Sequence, residues 1–181
     1  MDNSLKLYKL MVLYMLSRVD FPLTNSQISE FILDKGYTTY FKLQQTFSEL
    51  LDSHFIVEES THGRTLYHLT KEGRETASFF SRDLSSAILE DIDSFLLEKR
   101  YDLKDEVSIQ ADYFRNTPSS YTVSCRVIEK GQSLIHLEVT VPSEEEARQA
   151  VRNFRRKNQE IYSSVMEHLL SLEERFASKA P

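Results

Sequence analysis

The chain has little cysteine, little glycine and no long apolar run. Its 181 residues include one cysteine, Cys125, and four glycines. A single thiol rules out an internal disulfide framework and suits a reducing compartment. Four glycines leave little room for a glycine-rich phosphate loop, and no nucleophile motif accompanies them, so catalysis is not expected. Leu10 to Leu16 is unbroken apolar sequence, but a bilayer span needs roughly 20 such residues. No small-residue cleavage site follows it; no export signal is read, and the expected location is the cytoplasm, without a membrane partner. The five histidines, His54, His62, His68, His136 and His168, have neither metal-ligand spacing nor a cysteine pair beside them. No metal and no cofactor is expected.

A basic excess is also missing. The formal net charge is −6, with 40% apolar and 28% charged residues, ordinary for a globular protein of one or two domains. Residues 1–82 carry 9 Lys plus Arg against 10 Asp plus Glu, and residues 83–181 carry 13 against 18. Nucleic-acid binding draws much of its affinity from phosphate contacts and leaves a basic footprint. The first half is the less unfavourable place for it.

What is present is a pattern between Phe21 and Gly73. Thr24 with Gln27 three residues later is a capping box, and Ile28, Phe31 and Ile32 recur at helical spacing until Gly36, which suits a left-handed helix end. Thr38 or Thr39 caps a second helix in which Leu43, Phe47, Leu50 and Leu51 form the buried stripe, with Lys42, Gln45, Glu49 and Asp52 on the other side. After His54 the period changes. Ile56 to Ser60 and Thr65 to Leu69 read as strands around Thr61-His62-Gly63-Arg64, where glycine supplies the positive φ of a tight hairpin. Thr70 caps a helix over Lys71 to Ser81, and Gly73 in its first turn permits close backbone packing. Two short helices, a hairpin and a further helix form the order of a winged helix-turn-helix.

The apolar first helix, FPLTNSQ, YFKLQQTFSELL and the L-T-K-E-G after the hairpin resemble an uncharacterised family of bacterial winged-helix proteins, defined only as a domain of unknown function. The resemblance runs from about Leu5 to beyond Leu170. It implies a transcriptional regulator whose operator and effector are unknown. More loosely, the first eighty residues are similar to the winged-helix domains of PadR-like and MarR-like repressors, which act as dimers.

On this reading duplex DNA is the partner, and the candidate contacts are Thr39, Tyr40, Lys42, Gln44 and Gln45 on the second helix, with His62 and Arg64 on the hairpin. Glutamine can pair with adenine in the major groove, and an arginine at a hairpin tip can reach the minor groove or a phosphate. Glu58 and Glu59 precede it and would repel the DNA backbone if they face the same way. With so few cations per protomer, a homodimer is expected. The first helix, Leu5 to Leu16, leaves almost no polar side and must be covered on more than one face, either by the second half of the chain or by a second copy.

The second half reads as an α-β-β-β-α module. An amphipathic helix spans Ser85 to Lys99 through Ile88, Ile92, Phe95 and Leu96, and Tyr101 to Glu106 is a charged connector. Alternation then gives strands over Val107–Arg115, Tyr121–Glu129 and Ser133–Val141, each with one apolar face. For those faces to match, the loop at Lys130-Gly131-Gln132 must hold an odd number of residues, so that Arg126 faces His136 and Ser124 faces Glu138. Asp112, Thr122 and Thr140 complete a polar sheet face, the one place where a small-molecule or enzymatic site is conceivable. Last comes a long helix from Pro142-Ser143 to about Phe176, with Glu144, Glu145 and Glu146 in its first turn, where negative charge suits the dipole. Ala147, Val151, Phe154, Ile161, Val165 and Leu172 fall in a 4-3 spacing, with Asn158 and His168 at the remaining seam positions. Arg148, Arg152, Arg155 and Arg156 share another face.

The expected fold is α+β, with a winged helix-turn-helix over 1–82 and an α+β dimerisation or sensing module over 83–181. The expected function is DNA-binding transcriptional regulation, with a winged-helix protein-interaction module as the alternative.

Overall fold

A helix with almost no polar side has to be covered on more than one face, and α1 (Asn3–Ser17) is so covered over its second half by elements that all lie before residue 109. In the computed structural model, which describes residues 3–61 and 63–171, Met11, Val12 and Met15 are completely buried. The cover comes from α3 (Tyr40–Asp52), α4 (Lys71–Phe80), α5 (Ser86–Ser108) and strand β3 (Arg64–Leu69). Of the two covers expected from sequence, the second half of the chain supplies α5 alone. A second copy is not required to bury Leu10 to Leu13.

Between these elements run β1 (Leu23–Thr24), α2 (Asn25–Asp34) and β2 (Ile56–Thr61). The capping box forms as the sequence indicates: Thr24 Oγ1 accepts from the Gln27 amide at 3.0 Å and Gln27 Oε1 from the Thr24 amide at 2.9 Å. At the other end Gly36 takes φ 71° and the Tyr37 amide returns to the Ile32 carbonyl, closing the helix with a left-handed cap. Leu43, Phe47 and Leu50 of α3 are buried with Ile28, Phe31 and Ile32 of α2. Each such side chain contributes roughly 1.5–3 kcal/mol. Thr24 also belongs to β1, which pairs with β3 and completes a sheet of order β1-β3-β2. A two-residue strand is too short for its alternation to be read in sequence.

The hairpin is tighter than expected. Thr61 pairs with Arg64, so Arg64 opens β3 rather than sitting in the turn, and Gly63 at φ 77° supplies the required backbone.

The charged stretch before residue 107 is not a connector. α5 continues through it to Ser108, burying Ile92, Leu96, Leu103 and Val107 on one side. Ile92, Leu96 and Leu103 join the same apolar cluster as α1, α2 and α3, so the chain divides into Met1–Ser108 and Ile109–Pro181, not after residue 82. Val107 is a helix residue.

The second unit holds β4 (Ile109–Thr117), β5 (Ser120–Glu129), β6 (Gln132–Val141) and α6 (Glu144–Leu170), with sheet order β4-β5-β6. Arg126 faces His136 and Ser124 faces Glu138, as the parity of the apolar faces requires. The means differ from the expected loop. Glu129 pairs with Gln132 across a two-residue turn in which Lys130 and Gly131 both take positive φ, and a bulge at Leu134 restores the register. α6 covers the apolar face through Ala147 and Phe154, with Val151, Ile161 and Val165 partly buried. It bends at Lys157 (φ −120°, ψ 16°), where Asn158 Nδ2 donates to the Arg155 carbonyl at 3.0 Å. Asn158 thus serves the bend of its own helix. Leu172 and Phe176 lie outside the described residues. Altogether the fold is α+β, with six α-helices and two three-stranded antiparallel sheets among the described residues.

Candidate nucleic-acid interface

The first turn of α3 is fixed at its base and open at its tip. Thr39 caps it, accepting from the Lys42 amide at 3.5 Å, and one turn later Thr46 Oγ1 donates a hydrogen bond to the Lys42 carbonyl at 2.8 Å. Leu43, Thr46, Phe47 and Leu50 anchor the inner face, with Phe47 stacked on Tyr67 of β3 at 4.6 Å between ring centroids. On the outer face Tyr40 is 63% and Phe41 80% exposed. Lys42, Gln45 and Ser48 are exposed beside them.

The expected contact residues divide into free and engaged. Tyr40 and Lys42 stand at the surface, and among the described residues Lys42 forms no ion pair. Gln44 is turned inward: its Oε1 accepts from Asn25 Nδ2 at 3.3 Å, and the same Nδ2 donates to Tyr67 Oη at 3.1 Å. Gln44 therefore ties α3 to α2 and β3. Gln45 donates to Glu49 Oε1 at 3.2 Å. The other oxygen of Glu49 meets Lys9 Nζ at 3.0 Å, and that ammonium is the main reason its carboxyl lies below the usual range. Arg64 donates from Nη1 to the Glu106 carbonyl oxygen at 3.1 Å and lies 3.8 Å from Oε1 of the same residue. A groove of about 250 Å³ beside it is lined by Asn25, Ser26, Arg64 and Glu106. His62 lies outside the described residues.

Two members of this surface escape a reading by residue type. Phe41 stands two positions before Leu43 and so on the opposite side of the helix from the buried stripe, a signal present in the spacing. Glu106 is hidden by its place in a charged stretch that reads as a linker.

Cations elsewhere in the first unit are largely neutralised. Lys6 meets Asp83, Arg18 meets Asp93, Lys35 meets Asp91, Lys99 meets Glu30 and Arg100 meets Asp20. Most are exposed pairs worth little in stability, but each removes a cation from the field available to a phosphate backbone.

On the polar sheet face of the second unit, His136 Nε2 lies 3.1 Å from Ser124 Oγ and 3.7 Å from Glu138 Oε1. The same ring nitrogen faces both groups. A relay needs the carboxylate on the opposite nitrogen from the hydroxyl, so that the ring can take the proton while held in its tautomer. Among the described residues no group of three or more His, Cys, Asp or Glu gathers to hold a metal ion, and no helix is long and apolar enough to cross a membrane.

No curated protein and no solved structure matches the chain. A family model does match, over residues 8–169. That span takes in elements of both units, from α1 to the last turn of α6. The chain belongs to the family described as Domain of unknown function (DUF4364).

Proposed function

We propose that the protein is a cytoplasmic transcriptional regulator that binds duplex DNA as a homodimer through a winged helix-turn-helix. In this reading α2 and α3 are the helix-turn-helix, α3 enters the major groove and the β2–β3 hairpin is the wing. The observation that carries it is the first turn of α3, where Tyr40, Phe41 and Lys42 stand clear of a base locked by Leu43, Thr46 and Phe47. The N-terminal residues of a recognition helix make the base contacts. Lys42 suits a guanine edge or a phosphate, Phe41 a thymine methyl, and Gln45 an adenine once it leaves Glu49. Catalysis plays no part.

The test is selection from a random duplex pool at low salt, with Lys42→Ala and Phe41→Ala alongside. Enrichment of a palindromic motif that both variants lose is the expected result. No retention of any duplex at low salt overturns the reading.

One observation favours a second reading, in which the module docks on a protein. Exposed aromatic residues are the usual anchors of protein interfaces, and Tyr40 and Phe41 stand side by side on a chain of net charge −6. Under this reading Phe41→Ala disrupts a protein complex, while Lys42→Ala leaves it nearly intact.

A further inference from the structure

Among the described residues β6 is an edge strand with little of the usual protection. Edge strands normally carry lysine, proline or an inward charge that stops another strand from pairing. Between Gln132 and Val141 there is no lysine and no proline. The bulge at Leu134 lies near one end, leaving 135–141 in regular register with β5. Among the described residues no strand pairs with the outer side of β6.

The apolar face of the sheet is also unfinished at this edge. α6 lies mainly over β4 and β5. Val123 on β5 is 1% exposed, yet its cross-strand neighbour Val139 on β6, on the same face, is 50% exposed. A further element laid along β6 would cover it.

The side chains of β6 indicate which element. In an antiparallel pairing of β6 with its own copy centred on Leu137, His136 falls opposite Glu138 of the second copy, and Glu138 opposite its His136. On the other face Ile135 falls opposite Val139 and Leu137 opposite Leu137. Both faces are self-complementary: imidazole meets carboxylate twice where the sheet is polar, and apolar side chains meet where it is not. We propose that two copies of this chain join β6 to β6 about a twofold axis at Leu137, making one six-stranded antiparallel sheet. The interface rests on the homodimer part of the proposed function and is independent of its DNA part.

Sedimentation of the full chain tests it. The wild type is expected to be a dimer. His136→Glu places two carboxylates opposite each other on both sides of the axis and weakens the dimer by roughly tenfold or more. The charge swap His136→Glu/Glu138→His restores it, which a merely structural role for these residues does not explain. Val139→Lys, at a half-exposed position where the fold tolerates a charge, also gives monomer, with a melting temperature near that of the wild type. A wild-type monomer overturns this interface and the homodimer together. A dimer indifferent to both His136→Glu and Val139→Lys overturns the interface alone, as does failure of the swap to restore association while the protein remains folded. DNA retention, measured separately, leaves each of these outcomes unchanged.

Discussion

Gly73 and Phe55 approach so closely that a Cβ on Gly73 would lie 2.0 Å from the Phe55 carbonyl oxygen. That oxygen cannot retreat, because it also accepts from the Thr70 amide at 3.1 Å and the Thr70 hydroxyl at 3.0 Å. Helix propensity alone favours Gly73→Ala by about 1 kcal/mol. Steric exclusion by main chain outweighs it, and the variant is expected to lose about 3 kcal/mol. Urea denaturation decides the sign. A stabilised variant would mean that α4 shifts freely away from Phe55.

Gln27 is buried, and it uses both ends of its amide. Oε1 accepts from the Thr24 amide, while Nε2 donates to the Leu103 carbonyl at 3.2 Å and to Glu106 Oε2 at 2.8 Å. Gln27→Glu keeps the capping acceptor and sets a carboxylate against two acceptors that have lost their donor. It should cost roughly 2–4 kcal/mol at neutral pH. Gln27→Ala, which buries no charge, should cost less, as urea midpoints would show. The reverse ranking would remove Glu106 from its place beside α2.

Where the sequence states a local rule, the fold follows it. Thr24, Gln27, Gly36 and Thr70 each form the cap that their types and spacing indicate, and the parity of apolar residues fixes the pairing of Arg126 with His136. The means of reaching that register were not legible, because a three-residue loop and a two-residue turn with a bulge give the same alignment. The reach of α5 was legible but masked. Ile92, Leu96, Leu103 and Val107 keep one stripe at intervals of four and seven, while the charges between them suggest a linker.

The phenol of Tyr37 donates to Asp91 Oδ2 at 2.6 Å. Burial, and then this bond to a carboxylate, push its pKa up to about 12 from 10.0. A phenol protonated more tightly in the folded state contributes stability that is complete below its ordinary pKa of 10.0 and is lost as pH rises towards about 12. Asp91 has the opposite sign: the Tyr37 hydroxyl, with Lys35, holds its carboxyl below the usual range. Its contribution is present above the unfolded pKa of 3.8 and fades as pH falls through the lower folded value. Tyr37→Phe should flatten the alkaline fall in stability, leaving the part due to Tyr14 and Tyr67, whose pKa values are also raised. Melting temperatures across the alkaline range would fall in parallel for wild type and variant if Tyr37 were neither buried nor bonded to Asp91 in solution.

Cys125 is the single cysteine of the chain and is buried on the covered face of β5. Burial pushes its thiol up to about 11 from 9.0. That shift alone leaves about a hundredfold less thiolate than an ordinary cysteine at neutral pH. Native protein should resist a thiol reagent and react when the second unit opens. Labelling in graded urea therefore reports that unit alone, while Gly73→Ala perturbs the first. Equal shifts of labelling and of first-unit melting in Gly73→Ala would show that the two units unfold as one.

Arg64 shows why a site is harder to read than a fold. Its position at the hairpin follows from the sequence, but its partner lies far along the chain, on a helix turn that reads as a linker. The ion pair with Glu106 is long at 3.8 Å and partly exposed, so its loss should cost less than about 1 kcal/mol. Its effect on charge is larger than its effect on stability, since the carboxylate both neutralises the hairpin cation and repels a phosphate. Glu106→Gln removes the charge, keeps an acceptor for Gln27 and leaves the backbone carbonyl to hold Arg64. If the hairpin lies against DNA, this variant should bind non-specific duplex more tightly and steepen the logarithmic salt dependence by about 0.9, the increment for one additional neutralised phosphate. Fluorescence anisotropy against salt concentration measures both. An unchanged slope in Glu106→Gln, with binding still lost in Lys42→Ala, would place α3 on the DNA and keep the hairpin off it.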